Sequence, residues 1–395
     1  MIKRAAGTIL ASLLVLLAWS HCRAGFFYLI LNQHSTSNLF QDSAPVTENI
    51  SYFSLALDSG GQSFSWLADL SFSYFDRNRS LCFLSGGLGS DYVKSVGKRS
   101  AVYLYFGVTG SDFREEYEPF SSLGFKATGA FKSYITQTSI LNTGWSGEYR
   151  SFRDSLFDYL GINLQATIDK YLKTRTTLKG GLFWGYKYFL HPFMTDSGQT
   201  STPASPGLEV SRPARPRYIG GHGFVPRYTQ DGGGAGLGYL AASFLVSQSL
   251  GYTAGINAFV HRQWNVSGGS PFLSVEEFYY VANPTTDEYS WEGWKMGGRL
   301  TLELLWDIEM KMGYTGLEKI FPGVESMALD GTSLGLTRRD TRDLFEGRLE
   351  KLFRRFSLFF AFAYINNRST DPHFNWKAPS FQAGFQWNIP FGRKE

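Results

Sequence analysis

Twelve charged side chains invite a chemical reading by type and spacing: Lys126, Lys132, Lys179, Lys187, Lys295, Arg299, Glu303, Glu309, Lys311, Glu346, Arg348 and Glu350. They alternate with apolar residues. Lys126 follows Phe125, Lys295 follows Trp294, and Arg348 precedes Leu349. An extended chain sends successive side chains to opposite faces, so these charges share a face that the apolar residues do not. A wall of fixed charges of both signs orients polar solutes and tunes ion selectivity. The set is therefore expected to line a pore. Within it, bases dominate the earlier segments and acids rise in the later ones, an arrangement that sets a transverse field if the two groups face each other across a lumen.

Nothing in the chain presents a convincing catalytic centre or metal site. Beyond residue 24 the histidines are His34, His191, His222, His261 and His373. His34-Ser35-Thr36-Ser37-Asn38 has residue types resembling the His/Ser/Asn sets of barrel lipases and esterases, but no partner pattern accompanies it, and a polar strand edge explains it more simply. His261 takes the parity of the charged face and reads as a polar wall residue. No His/Cys/Asp cluster has metal-ligand spacing. Gly232 to Gly236 lacks the Lys and helix of a phosphate loop. No cofactor is expected.

The elements that must hold the charged face are strands. Phe64, Trp66, Ala68, Leu70, Phe72 and Tyr74 alternate with small and polar residues. The same period recurs at Leu123 to Phe131, Leu160 to Ile168, Leu178 to Tyr188, Tyr252 to Val260 and Trp294 to Leu304. Such segments run about ten residues, the length of a tilted membrane strand, whereas strands of soluble sheets usually have about five or six. Short breaks fall near 170–173, 249–251, 306–307 and 353–355. Long polar ones fall near 110–122, 191–234, 266–290, 318–341 and 367–374. Barrels of bacterial outer membranes have this asymmetry. About sixteen strands result, the weakest at 26–32, 81–91 and 101–108; without the first, an even count gives fourteen.

Composition agrees. The chain has 395 residues, 43% hydrophobic and 17% aromatic, with 43 glycines. It lacks the long apolar runs of a helical membrane protein, while alternating strands dilute hydropathy. Lys3 and Arg4 before an apolar run over 8–18, then Cys22-Arg23-Ala24, read as a signal peptide cleaved after Ala24. Of the 38 Lys and Arg, three lie in that acid-free leader, so the remainder matches the 34 Asp and Glu to within one charge. That balance gives no argument for nucleic acid. Cys82 then stands alone, without an intramolecular disulfide partner. Trp184, Tyr186, Tyr188, Trp264, Trp291, Tyr364 and Trp376 near one set of strand ends, and Trp306, Trp387 and Phe391 near the other, are the expected girdles of a membrane barrel.

The final segment, Phe381 to Phe391, carries Phe381, Ala383, Phe385, Trp387, Ile389 and Phe391 on one face and Gln382, Gly384, Gln386 and Asn388 on the other. It resembles the C-terminal assembly signal of integral outer-membrane β-barrel proteins of diderm bacteria: polar, any, Gly, hydrophobic, any, hydrophobic, any, hydrophobic. The tail at 392–395 departs from it, since that class often ends on an aromatic. The resemblance implies recognition by the outer-membrane insertion machinery, and the assembly-signal residues are Gln382, Gly384, Phe385, Trp387, Ile389 and Phe391.

The expected architecture is all-β: residues 25–395 form one transmembrane antiparallel up-and-down β-barrel in a bacterial outer membrane. Its longest outer loop spans about 190–234 and carries Arg212, Arg215, Arg217 and Arg227, which would constrict the lumen or meet lipopolysaccharide phosphates. The lumen wall at Phe359, Ala361, Ala363 and Ile365 is apolar, so something is expected to cover it. A porin-like passive channel for small polar solutes is the leading function, without enzymatic activity. The alternative is a non-conducting barrel for adhesion, partner binding or export of a surface component; a membrane-embedded lipid hydrolase using His34 and Ser35 is remote. The bilayer and lipopolysaccharide are the expected surroundings, and a homotrimer fits a barrel of this size.

Overall fold

The computed structural model describes residues 24–39, 41, 43, 45–59, 63–153, 158–190, 236–267, 289–330 and 332–392. Residues 1–23 of the leader and the loop bearing Arg212, Arg215, Arg217 and Arg227 lie outside these residues, while Ala24, the last residue of the expected leader, opens the first strand.

Sixteen strands form a closed antiparallel barrel. In chain order they are β1 (Ala24–Thr36), β2 (Glu48–Asp58), β3 (Phe64–Phe75), β4 (Phe83–Val96), β5 (Ser100–Phe113), β6 (Ser122–Thr136), β7 (Ser139–Phe152) and β8 (Tyr159–Tyr171). The second half comprises β9 (Thr176–Phe189), β10 (Gly236–Ser249), β11 (Ala254–Asn265), β12 (Glu292–Leu304), β13 (Ile308–Met327), β14 (Ser333–Leu352), β15 (Phe356–Ser369) and β16 (Trp376–Gly392). Each strand pairs with its sequence neighbours, and β1 closes on β16 over thirteen positions, Ala24 with Gly392 through Thr36 with Ser380. The count is sixteen because 24–36 is a strand. Closure leaves no edge, which satisfies every ladder without water.

The pairing register assigns the faces. Leu31 opposes Phe53 and Phe385, Phe53 opposes Phe72, and Phe72 opposes Leu84. Phe385 opposes Leu358 on the other flank. This row continues into a belt of exposed apolar side chains that includes Phe106, Leu164, Leu182, Phe244, Met296 and Phe360. So wide an apolar surface on a closed sheet is matched to lipid, not water. The opposite parity faces the interior.

One rim carries tight turns. The β4–β5 turn uses Gly97 at φ 68°, and the β12–β13 turn places Trp306 and Asp307 at φ 63° and 57°. At the other rim, here the loop rim, the described connections after β1, β3 and β5 fold back onto the barrel. Leu39, Leu81, Cys82, Tyr117 and Phe120 from those connections pack with the interior residues Phe75, Phe113, Phe152, Tyr159, Phe189 and Leu237. Phe189 is 0% exposed. This buried cluster follows the inner wall from β3 to β10, a feature no strand periodicity announces.

Two expectations change. Residues 318–341 read as a long polar loop, but β13 and β14 continue through most of that span as a hairpin, β13 ending at Met327 and β14 starting at Ser333. Beyond the belt neither face meets lipid, so the apolar period disappears while the ladder persists. Trp291 and Trp376 read as girdle residues; both are buried. Trp291 packs with Phe321 and Val324, and Trp376 lies under the Arg342 guanidinium at 5.2 Å. Trp184, Tyr186, Trp264 and Tyr364 keep the outward parity.

Candidate functional site

All twelve charged residues stand on the face opposite the belt, as the register shows. Seven of them gather on β12–β14 in rows. Nearest the turns, Glu303, Glu309 and Glu350 lie side by side. One row toward the loop rim come Thr301, Lys311, Arg348, Ala361, Gln382 and His34. The next row holds Arg299, Gly313, Glu346, Ala363 and Ser380.

Each base in these rows has an acid beside it. Arg348 contacts Glu350 through Nη2 and Nε at 3.0 and 3.1 Å. Lys311 pairs with Glu309, and Arg299 with Glu346. The Arg299 pair spans a whole strand: Arg299 is on β12, Glu346 on β14, and Gly313 of β13 lies between them. A Cβ at Gly313 would come within 2.8 Å of Glu346 Oε1, so glycine leaves the passage for the pair. These pairs are partly solvated, and each contributes on the order of 0–1 kcal/mol. Their effect is to fix charge positions.

These residues surround a cavity of about 520 Å³. Its charged wall is Arg299, Lys311, Glu346, Arg348 and Glu350, and its other wall is Ala361, Ala363, Ser380, Gln382 and His34. The apolar stripe on β15 thus forms a low shelf beside the charges. Phe359 has its own cover: the Arg348 guanidinium lies 4.0 Å from its ring centre, and the ring occupies the space a Cβ would take on Gly384. Asn32 also borders that space, and its Oδ1 is enclosed with no hydrogen-bond partner among the described residues.

The remaining members of the set are dispersed. Lys179 meets Asp169 at 3.8 Å. Lys126 stands opposite Glu148, and Lys295 opposite His261. Lys132 lies 5.8 Å from the Tyr134 ring. Lys187 keeps the interior parity but is only 6% exposed. Tyr159 and Tyr289 enclose its ammonium at 4.4 and 5.0 Å, and Tyr289 is anchored by donating to Asn163 at 2.8 Å. Lys187 therefore belongs to the packed wall and not to an open surface.

The sequence reading missed acids of the same parity. Asp58, Asp69 and Asp91 occupy the interior faces of β2, β3 and β4. Tyr103 donates to Asp91 at 2.5 Å. In a ring of sixteen, β3 and β4 stand opposite β11 and β12, which bring His261, Lys295 and Arg299. The early strands thus add an acidic stretch that precedes the lysines of β6 and β9, while the later strands β12–β14 carry Glu303, Glu309, Glu346 and Glu350 beside their bases. Asp69 and Asp91 sit within alternating segments and could have been collected by the parity rule that collected the lysines.

His34 borders the cavity, whereas Ser35 has the opposite parity and opposes Phe381. The two do not meet. Among the described residues no group of His, Cys, Asp and Glu could hold a metal ion. On β16, Gln382 and Gly384 face inward while Phe385, Trp387 and Ile389 face the belt side; Phe391 pairs through its backbone with Gly25.

No family model matches the sequence, and no curated protein matches it. Solved barrels match in shape. OccAB1 of Acinetobacter baumannii aligns with TM-score 0.50 and 8% identity over 93% of this chain and 96% of its own. OccK8 (OprE) of Pseudomonas aeruginosa gives 0.48 and 11% over 93% and 98%, and OpdQ of the same organism 0.47 and 11% over 93% and 99%. The likeness to OccAB1 is one of fold. Together with the lipid-matched belt and the sixteen-stranded closure, it makes this chain an integral outer-membrane β-barrel of porin-type architecture.

Proposed function

We propose that the protein is a passive channel for small polar solutes across a bacterial outer membrane. The observation that carries this reading is the charged cavity on β12–β16, where both signs stand on the interior face beside a small apolar shelf. Fixed pairs present positive and negative charge to the same solute, and the acids on β2–β4 stand across the ring from β11 and β12, which carry His261, Lys295, Arg299 and Glu303. A dipolar solute aligns in such a field, and small ions are sorted by it. Proteoliposome swelling tests the reading. Vesicles carrying the folded protein should swell in isosmotic small sugars or amino acids faster than protein-free vesicles; equal rates would end the channel reading.

The partner readings accompany it. Residues 1–24 act as a cleaved leader, and the face Phe385, Trp387, Ile389 and Phe391 with Gln382 and Gly384 is read by the insertion machinery. Lipopolysaccharide surrounds the belt, with Arg212, Arg215, Arg217 and Arg227 in the longest loop as contacts. A homotrimer belongs to the same reading and is checked by native mass in detergent. The second function is a non-conducting barrel that displays a binding surface. The buried aromatic cluster under the loop rim favours it, because it occupies the inner wall from β3 to β10. Swelling separates the two.

A further inference from the structure

The belt does not end evenly. On β13–β16 its last outward row is Tyr314, Phe345, Tyr364 and Pro379. The next row toward the loop rim is Gly316, Asp343, Asn366 and Lys377, followed by Glu318, Thr341 and Arg368. Two residues therefore take the outer wall from aromatic to charged. β13 and β14 run on to Met327 and back from Ser333, so this polar step lies at the foot of a hairpin standing above the membrane. That is the depth of lipid headgroups.

A cavity of about 700 Å³ opens at this step. It lies at the barrel rim, where the outward Arg368 and Lys377 meet the inward-parity Asn367, Ser369 and Trp376, and the segment between β1 and β2 adds Asn38, Ser43 and Pro45. The Ser43 N–H donates to the His373 carbonyl at 2.7 Å, which ties that segment to the β15–β16 connection. Arg368 reaches Asp343 at 3.0 Å through one guanidinium nitrogen, and Tyr314 donates to Asp343 at 2.8 Å. The Arg368 side chain stays 65% exposed, and a guanidinium has five N–H donors to give.

We propose that this cavity binds the headgroup of an outer-leaflet lipid that carries a phosphate and a net negative charge. Arg368 and Lys377 meet the phosphate, since charge-assisted N–H donors bind phosphate oxygens strongly. The volume lies within the ~300–1,000 Å³ of ordinary small-molecule sites, enough for a phosphorylated sugar or glycerol headgroup, while the acyl chains run down the Tyr364 and Phe381 face. The site depends on the membrane placement of the belt and is independent of conduction.

Native mass spectrometry of the folded full-length protein in detergent tests the assignment. The probes are phosphatidylglycerol, a phosphorylated disaccharide lipid and phosphatidylcholine. The first two should be retained at least tenfold more strongly than phosphatidylcholine. Lys377→Ala with Arg368→Gln should remove that preference. Lys377→Ala alone keeps the Arg368–Asp343 pair, so loss of preference in it is not misfolding; heat-modifiable gel mobility checks each barrel. Arg262 lies on the same outward face near Trp264 and Trp294 but away from the cavity. If Arg262→Gln weakens retention equally, the attraction is general surface charge and the site fails. Equal retention of phosphatidylcholine, or undiminished retention by the double variant, also overturns it. Displacement of lipid by millimolar inorganic phosphate would overturn the headgroup assignment.

Discussion

Neighbouring positions on the closing strand make the face assignment testable. Phe385 lies near the middle of β16 and opposes Leu358 and Leu31, with the Phe356 ring 5.7 Å away. Gln386, one residue on, opposes Ser357 and Ile30, and its amide donates to Asn388 at 3.0 Å. A lysine on the lipid face near the bilayer midplane costs about 2–4 kcal/mol, and one facing water inside the barrel costs little. Phe385→Lys should therefore lower the folding equilibrium in vesicles roughly 30- to 900-fold, at 1.36 kcal/mol per factor of ten. Gln386→Lys should change it by less than about threefold, since surface substitutions usually stay within ~0.5 kcal/mol. Urea titration of folding into phospholipid vesicles, followed by tryptophan fluorescence and gel mobility, measures both. Equal costs for the two variants, or a larger cost for Gln386→Lys, would refute the assignment of faces.

Three further outcomes follow from the interior. Glu346→Gln releases Arg299 from its partner across β13; stability should fall by no more than about 1 kcal/mol, while the reversal potential in a salt gradient should shift toward anion preference. Gly384→Val pushes a side chain into the space held by Asn32 and the Phe359 ring, so overpacking should cost about 1–3 kcal/mol at the β1–β16 seam, seen as a lower urea midpoint. Phe189→Ala empties the centre of the loop-rim cluster and should cost about 3–5 kcal/mol, with faster proteolysis at that rim.

The fold was legible because lipid imposes a rule that a sequence can record. Each belt strand must be apolar at every second place, and β3, β9, β12 and β16 announce themselves that way. Where lipid no longer touches the wall, the record fades. β13 and β14 continue past Glu318 and Thr341 with charges on both faces, so pairing there is set by the ladder and not by hydropathy. The cluster of Leu39, Leu81, Phe120 and Phe189 arises from connections folding inward, which leaves no period to read. Side-chain identity alone did not tell Trp264, which faces outward, from Trp291, which is buried. The charged set was found by parity, yet its grouping needed the register: only strand pairing brings Arg299, Lys311, Glu346 and Arg348 around one cavity and sets Asp69 and Asp91 on the opposite wall.

The central claim is that solutes pass along the interior face of β12–β16. Single-channel recording of cysteine variants in planar bilayers, with a water-soluble charged methanethiosulfonate, tests it most directly. Arg348→Cys places a thiol at the cavity, and Leu349→Cys places one on the belt; the native Cys82 is buried. The expected result is an open channel whose conductance drops in steps when Arg348→Cys is modified and is unchanged for Leu349→Cys. No channel above background, or equal sensitivity of the two variants, would contradict it.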